Sequence, residues 1–189
     1  DPENPQTTVD APPWWTEGAA VAFQNAWYKA NWSKLSFFQG KKWEDVEVSI
    51  MFSADPGIYK EFRRAIMDAP GKKREGCTPS FKMGPYTDRY HTERAPDADP
   101  CRAFMLAVPY IASVTSYKTV LIDIPQDYYE LGFWGAFEKH VGMDKQEFYE
   151  RFNTFLRSGN PEDEPPEGWA PPEGELASYA NFLGIVSKE

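Results

Sequence analysis

The sequence predicts an α+β chain that is mostly helical: a helical hairpin plus a small sheet, with extended Pro-rich terminal arms. Three observations carry this reading. Apolar residues recur at the 3.6-residue period in several windows, one short window alternates at period two, and both ends are rich in proline and acid but poor in buriable side chains. Residues 14–158 then form a single globular domain, flanked by an arm over 1–13 and by an acidic strap with a short terminal helix over 159–189.

Residues 1–13 hold four prolines and three acids with no base, so the arm is extended and has no core of its own. Trp14 and Trp15 end it. Thr16 can cap a helix in which Ala20, Phe23, Trp27 and Ala30 share one face, stopping near Asn31 to Ser33. Val46, Val48, Ile50 and Phe52 alternate with Glu47, Ser49 and Met51, the pattern of a half-buried strand. Asp55-Pro56 reads as an N-cap followed by proline at the first helical position. Ile58, Phe62, Ala65, Ile66 and Ala69 then share a face until Pro70-Gly71.

Residues 71–102 show no periodicity, and a loop that long inside a compact domain is functional or held against a partner. Residues 103–114 are apolar and admit two readings, a buried helix kinked at Pro109 or a pair of short strands. The β-branched run Thr119-Val120-Leu121-Ile122-Asp123-Ile124 predicts a strand. From Asp127 the pattern is clearest. Leu131, Trp134, Phe137 and Val141 form one helical face closed by Gly142. Asp144 caps the next helix, with Glu147 completing a capping box, Met143 and Phe148 at the staple positions, and Phe148, Phe152, Phe155 and Leu156 as its stripe. So short a connection predicts an antiparallel hairpin. Residues 159–175 carry five prolines and six carboxylates with no base, and Leu176, Tyr179, Ala180 and Leu183 suggest the terminal helix.

The 189 residues have a formal charge of −9, which argues against nucleic acid, since phosphate binding needs a basic face. Aromatic residues make up 16 %, too many for a chain disordered throughout. The apolar run 103–114 is too short to cross a bilayer as a helix. The chain opens at Asp1 with no charged-then-apolar leader, the form of a processed or trimmed protein.

Chemistry is thin. Cys77 and Cys101 bracket a proline-rich loop; in an oxidising compartment they would close it as a disulfide worth about 3 kcal/mol, and in a reducing one they are two separate thiols. The two histidines, His91 and His140, have no metal-ligand spacing, and His140 sits near a helix C-terminus, where a cation meets the dipole favourably. Asp88, His91 and Glu93 are the densest acid/base set, though neighbours in sequence do not thereby converge on one substrate atom. Lys72, Lys73 and Arg74, with Lys82, Arg89 and Arg94, make residues 72–94 locally basic in an acidic chain and could dock an acidic partner or anionic lipid headgroups. No nucleophile elbow, phosphate loop or dinucleotide fingerprint is present, and no cofactor is indicated.

Arms that gain order by lying on another protein point to a non-catalytic accessory subunit, bound peripherally to a larger assembly such as an organellar or membrane-associated energy-transducing complex; the compartment it implies is organellar, lumenal or membrane-peripheral, or the protein is secreted. Its expected partner contacts are Trp14, Trp15, Lys72, Lys73, Arg74 and Trp169. Two other readings stay open: an exported protein holding a small ligand or sugar in an aromatic pocket, and an enzyme built on the His91 segment.

Overall fold

The computed structural model describes residues 11–31, 36, 39–40, 56–67 and 103–171. These are mostly helical and contain no strand: α1 (Pro13–Asn31), α2 (Pro56–Met67), α3 (Ala103–Val114), α4 (Ile124–Val141) and α5 (Lys145–Arg157), with a π-helical turn at Thr119–Asp123. The strand expected over 46–52, the loop 71–102, the terminal helix over 176–183 and most of the N-terminal arm lie outside the described residues.

The centre of the molecule is α3. Leu106, Ala107, Val108, Tyr110, Ile111 and Ala112 are all buried, so this helix is covered on every side. Of the two readings of 103–114, the helix is the one observed, with Pro109 inside it. An interior proline removes one backbone bond and costs about 3 kcal/mol in an exposed helix, but here packing on all faces holds the segment in place. At its end, the Thr115 hydroxyl donates to the Ile111 carbonyl (2.7 Å) and the Ser113 hydroxyl to that of Tyr110 (2.7 Å).

Against α3 lies α1. It starts at Pro13, three residues before the expected Thr16 cap, because proline is preorganised for the first helical position and the Pro12 carbonyl accepts from Trp15 N at 2.8 Å. Trp14 and Trp15 therefore sit in the first turn and are buried, at 0 % and 7 % exposure, whereas Ala20, expected on the apolar face, is exposed.

The strand expected at 119–124 is corrected to helix. Ser116 caps this stretch, its hydroxyl oxygen accepting from Thr119 N at 3.0 Å, and Val120, Ile122 and Ile124 are buried within the coil. A π-turn fits here because Pro125 follows: its ring would clash with the carbonyl four residues back, and a wider turn relieves that clash. Burial against the core overrides β propensity.

Helix α4 is broken at Gly132, where φ is 68° and ψ 170°. Asp127 Oδ2 lies 2.6 Å from Lys139 Nζ and 2.5 Å from His140 Nε2. In an unbroken helix, residues thirteen apart would be separated by about 20 Å. The chain therefore doubles back at Gly132, and the pairs close the bend. Gly135 assists, since a Cβ there would come within 3.1 Å of Leu131 Cβ. The break also changes the predicted face, leaving Leu131 46 % exposed while Phe137 is fully buried.

The next boundary follows the sequence. Gly142 takes the left-handed conformation and donates to the Glu138 carbonyl at 2.9 Å, and the Asp144 carboxylate accepts from Glu147 N at 2.8 Å. The Glu147 carboxylate pairs with Arg151 one turn on. The expected α4–α5 antiparallel packing is met only near the connection, where Phe148 touches Phe137 (5.1 Å between centroids) and Tyr149 touches Trp134 (5.7 Å). Further along, Phe152 and Phe155 turn to Tyr110 of α3, at 5.2 Å and 4.9 Å. The tight reversal in this part of the chain belongs instead to Gly132.

Candidate functional site

The aromatic stripe of α5 forms a ladder. Trp14 stacks on Phe148 at 5.2 Å, Phe148 on Phe152 at 5.6 Å, Phe152 on Phe155 at 6.2 Å, and Phe155 meets Trp169 at 5.6 Å. The two end rings come from opposite ends of the described chain, and the Trp14 indole N–H donates to the Tyr149 hydroxyl at 2.8 Å. These rings fill one another's faces, which is core packing rather than the lining of a sugar site.

The most organised polar cluster lies where α2, the end of α5 and the following strap meet. Among the described side chains of α2, Tyr59, Phe62 and Arg63 are buried. At 3 % exposure, Arg63 donates to the carbonyls of Phe155 and Ser158, the end of α5, and lies 4.6 Å over the Phe155 ring. It thus satisfies carbonyls that a helix C-terminus leaves without intrahelical partners. Burial pulls the Arg63 pKa down from its ordinary value, opposed by Tyr59 and Asp163, and burial likewise raises that of Tyr59.

The strap crosses this face. Glu162 accepts from both Arg64 Nε and Arg64 Nη2, and Glu164 pairs with Lys60. The hydrogen bond from Arg64 holds the Glu162 carboxyl below its ordinary pKa. Beyond these pairs the chain turns at Gly168, where an added Cβ would lie 3.4 Å from Ser113 Cα. Trp169 then inserts between Tyr59 (4.9 Å) and Phe155, and its carbonyl accepts from the Tyr117 hydroxyl at 2.7 Å. Tyr117 is fully enclosed and burial pushes its pKa strongly up.

A second cluster is the Asp127–Lys139–His140 group at the Gly132 bend. Hydrogen bonds from Lys139 and then His140 hold the Asp127 carboxyl below its ordinary pKa. The arrangement fastens two helical segments together. Beside it, Tyr129 is 88 % exposed.

The sequence candidates divide in three. Asp88, His91, Glu93, Lys72, Lys73, Arg74, Cys77 and Cys101 lie outside the described residues. Trp14, Trp15 and Trp169, expected on a partner surface, are corrected to core: the chain covers them itself, so they present almost nothing to a neighbour. His140 is a helix-terminus residue as expected, with Asp127 as an additional partner.

Sequence reasoning missed Arg63, although it stands at i+4 from Tyr59 and next to Phe62, an arginine inside the apolar register. It also missed Asp127, whose partners come near only through the Gly132 break. Among the described residues no three His, Cys, Asp or Glu side chains converge to hold a metal ion, and no helix is long and apolar enough to cross a membrane. No family model, no curated protein and no solved structure matches this chain.

Proposed function

We propose that the chain is a non-catalytic accessory subunit that binds through its surface to a larger protein assembly. The observation that carries the reading is the corner at Gly132, where Tyr129 and Leu131 stand 88 % and 46 % exposed on a bend braced by ion pairs. A large aromatic ring and an aliphatic side chain held out on a fixed corner suit burial by a partner, because rigid aromatic anchors carry much of the energy of protein interfaces. The described charged groups support this assignment: Arg63, Asp127, Lys60 and Arg64 hold helices and strap together. An assembly in an organelle, at a membrane surface or outside the cell is the setting this reading takes from the sequence.

The test returns a tagged chain to its source cells and sizes the complexes formed. Wild type is expected in a species larger than the monomer at fixed stoichiometry. A Tyr129→Ser/Leu131→Ser variant, altered only at exposed positions, is expected as a monomer with unchanged melting temperature. Wild type and variant eluting together as monomers would overturn the proposal.

A further inference from the structure

The strap is held on its own body as a separate peptide would be. Residues 159–171 leave α5 through Gly159, at φ 76°, and cross α2 with Pro161, Pro165 and Pro166 spacing their acids. They end on the buried Trp169. We infer that the face shared by α2 and the end of α5 is a docking site for an acidic, proline-rich segment of a protein partner that makes the strap's two turns, closed by Asp163 N to the Asn160 carbonyl and Trp169 N to the Pro166 carbonyl, and is anchored by its Gly-Trp pair. The strap occupies this site in cis. The inference names a surface for the accessory-subunit reading and rests on that reading for the existence of a partner.

Three features of the contact specify the ligand chemistry. Charge is complementary: Lys60 and Arg64, on one face of α2 in a chain of net charge −9, meet Glu164 and Glu162. Lys60 is partly buried and the other three groups are exposed, so the pairs set register and each adds modest affinity, while reversing the sign of one side turns both attractions into repulsions. The anchor is aromatic: Trp169 fills a slot between Tyr59 and Phe155, and the Tyr117 hydroxyl reads its carbonyl. The backbone is stiffened by proline, which lowers the ordering entropy of binding. Together these make a recognition mode in which an aromatic slot takes the tryptophan of a proline-rich segment, with basic residues selecting an acidic one.

Tethering by so short a joint gives the strap an effective concentration in the mM range, so a free segment competes poorly. A partner segment gains access when the strap is loosened, or when an assembly presents it at comparable local concentration. The affinity seen from outside is the intrinsic one divided by the fraction of molecules with the strap released.

The experiment measures fluorescence anisotropy of a labelled synthetic peptide of residues 158–171 against the full chain. Wild type is expected to bind it weakly. Glu162→Lys/Glu164→Lys, which loosens the strap at exposed positions, and Trp169→Ala, which empties the slot, are each expected to bind it at least about tenfold more tightly. Adding Lys60→Glu/Arg64→Glu to the Trp169→Ala chain should abolish the gain, as should replacing tryptophan by alanine in the peptide. If Trp169→Ala loses its helical circular dichroism, the Glu162→Lys/Glu164→Lys chain decides. The inference is overturned if that chain, still folded, binds no better than wild type, or if it dimerises by exchanging straps and takes up no peptide. Peptide uptake needs no assembly, so a chain that binds peptide yet enters no complex would refute the accessory-subunit reading alone.

Discussion

At the scale of single residues, two polar side chains do structural work of different kinds. Arg63 is enclosed, and its guanidinium satisfies two carbonyls at the end of α5. Arg63→Ala should lower the unfolding free energy by about 1–2 kcal/mol in urea titrations, because those part-buried carbonyls lose a charged donor. Arg63→Lys should recover little of this, since an ammonium lacks the planar fork that reaches both oxygens. Asp127 is half-buried and acts through charge. Its carboxyl pKa is held down by Lys139 and His140, so its stabilisation is complete above the ordinary carboxylate range and is lost as pH falls through the depressed value. Asp127→Asn should therefore melt below wild type at pH 6, with the gap closing as acidification passes the depressed carboxyl pKa. A gap that persists in acid would show that the contact does not depend on the ionised carboxylate.

At the scale of elements, glycine decides where the sequence is legible. Around Gly142 every local signal agrees: a left-handed cap, the Asp144 N-cap and the Phe148–Phe152–Leu156 stripe all fall where the spacing puts them. Gly132 sits inside an apolar window that reads as one continuous helix, and nothing in the 3.6-residue period marks it as the residue that breaks. Residues 119–124 were illegible for the opposite reason: their β-branched content is real, but Pro125 and burial against the core select a π-turn. The two glycines can be ranked. At φ 68°, ψ 170°, Gly132 occupies a region almost closed to other residues, whereas Gly142 at φ 77°, ψ 18° is in the ordinary left-handed well. At neither position would an added Cβ touch anything within 4 Å, so both costs are purely conformational. Gly132→Ala should cost about 2–3 kcal/mol and Gly142→Ala about 1 kcal/mol in denaturant titrations. Equal costs would mean that the bend relaxes without strain.

At the scale of the whole molecule, the partner surface inferred from two tryptophan-bearing ends became interior. Composition shows that an end is poor in apolar residues, but not that one indole is enough to fix it: Trp169 secures the strap because α2, α5 and Tyr117 together build a slot for it. That slot is assembled from residues up to 110 positions apart, Tyr59 and Trp169, and no local pattern announces it. The same convergence ties the molecule's alkaline stability to three phenols. Burial raises the pKa of Tyr59, Tyr110 and Tyr117, outweighing the opposing charges of Arg63 at Tyr59 and Arg151 at Tyr110. The native chain thus keeps protons that the unfolded chain releases above about pH 10. Stability is unaffected below that point and falls as pH rises past it, by about 1.4 kcal/mol per pH unit for each phenol still protonated in the native state. Tyrosinate absorbance at 295 nm and loss of helical circular dichroism should therefore share a late, cooperative phase. Tyr117→Phe should make that phase shallower by one proton. It should also cost about 1 kcal/mol at neutral pH through the lost bond to the Trp169 carbonyl. If all tyrosinate absorbance develops while the helical signal is intact, the phenols ionise without unfolding and the slot around Trp169 does not close off Tyr117.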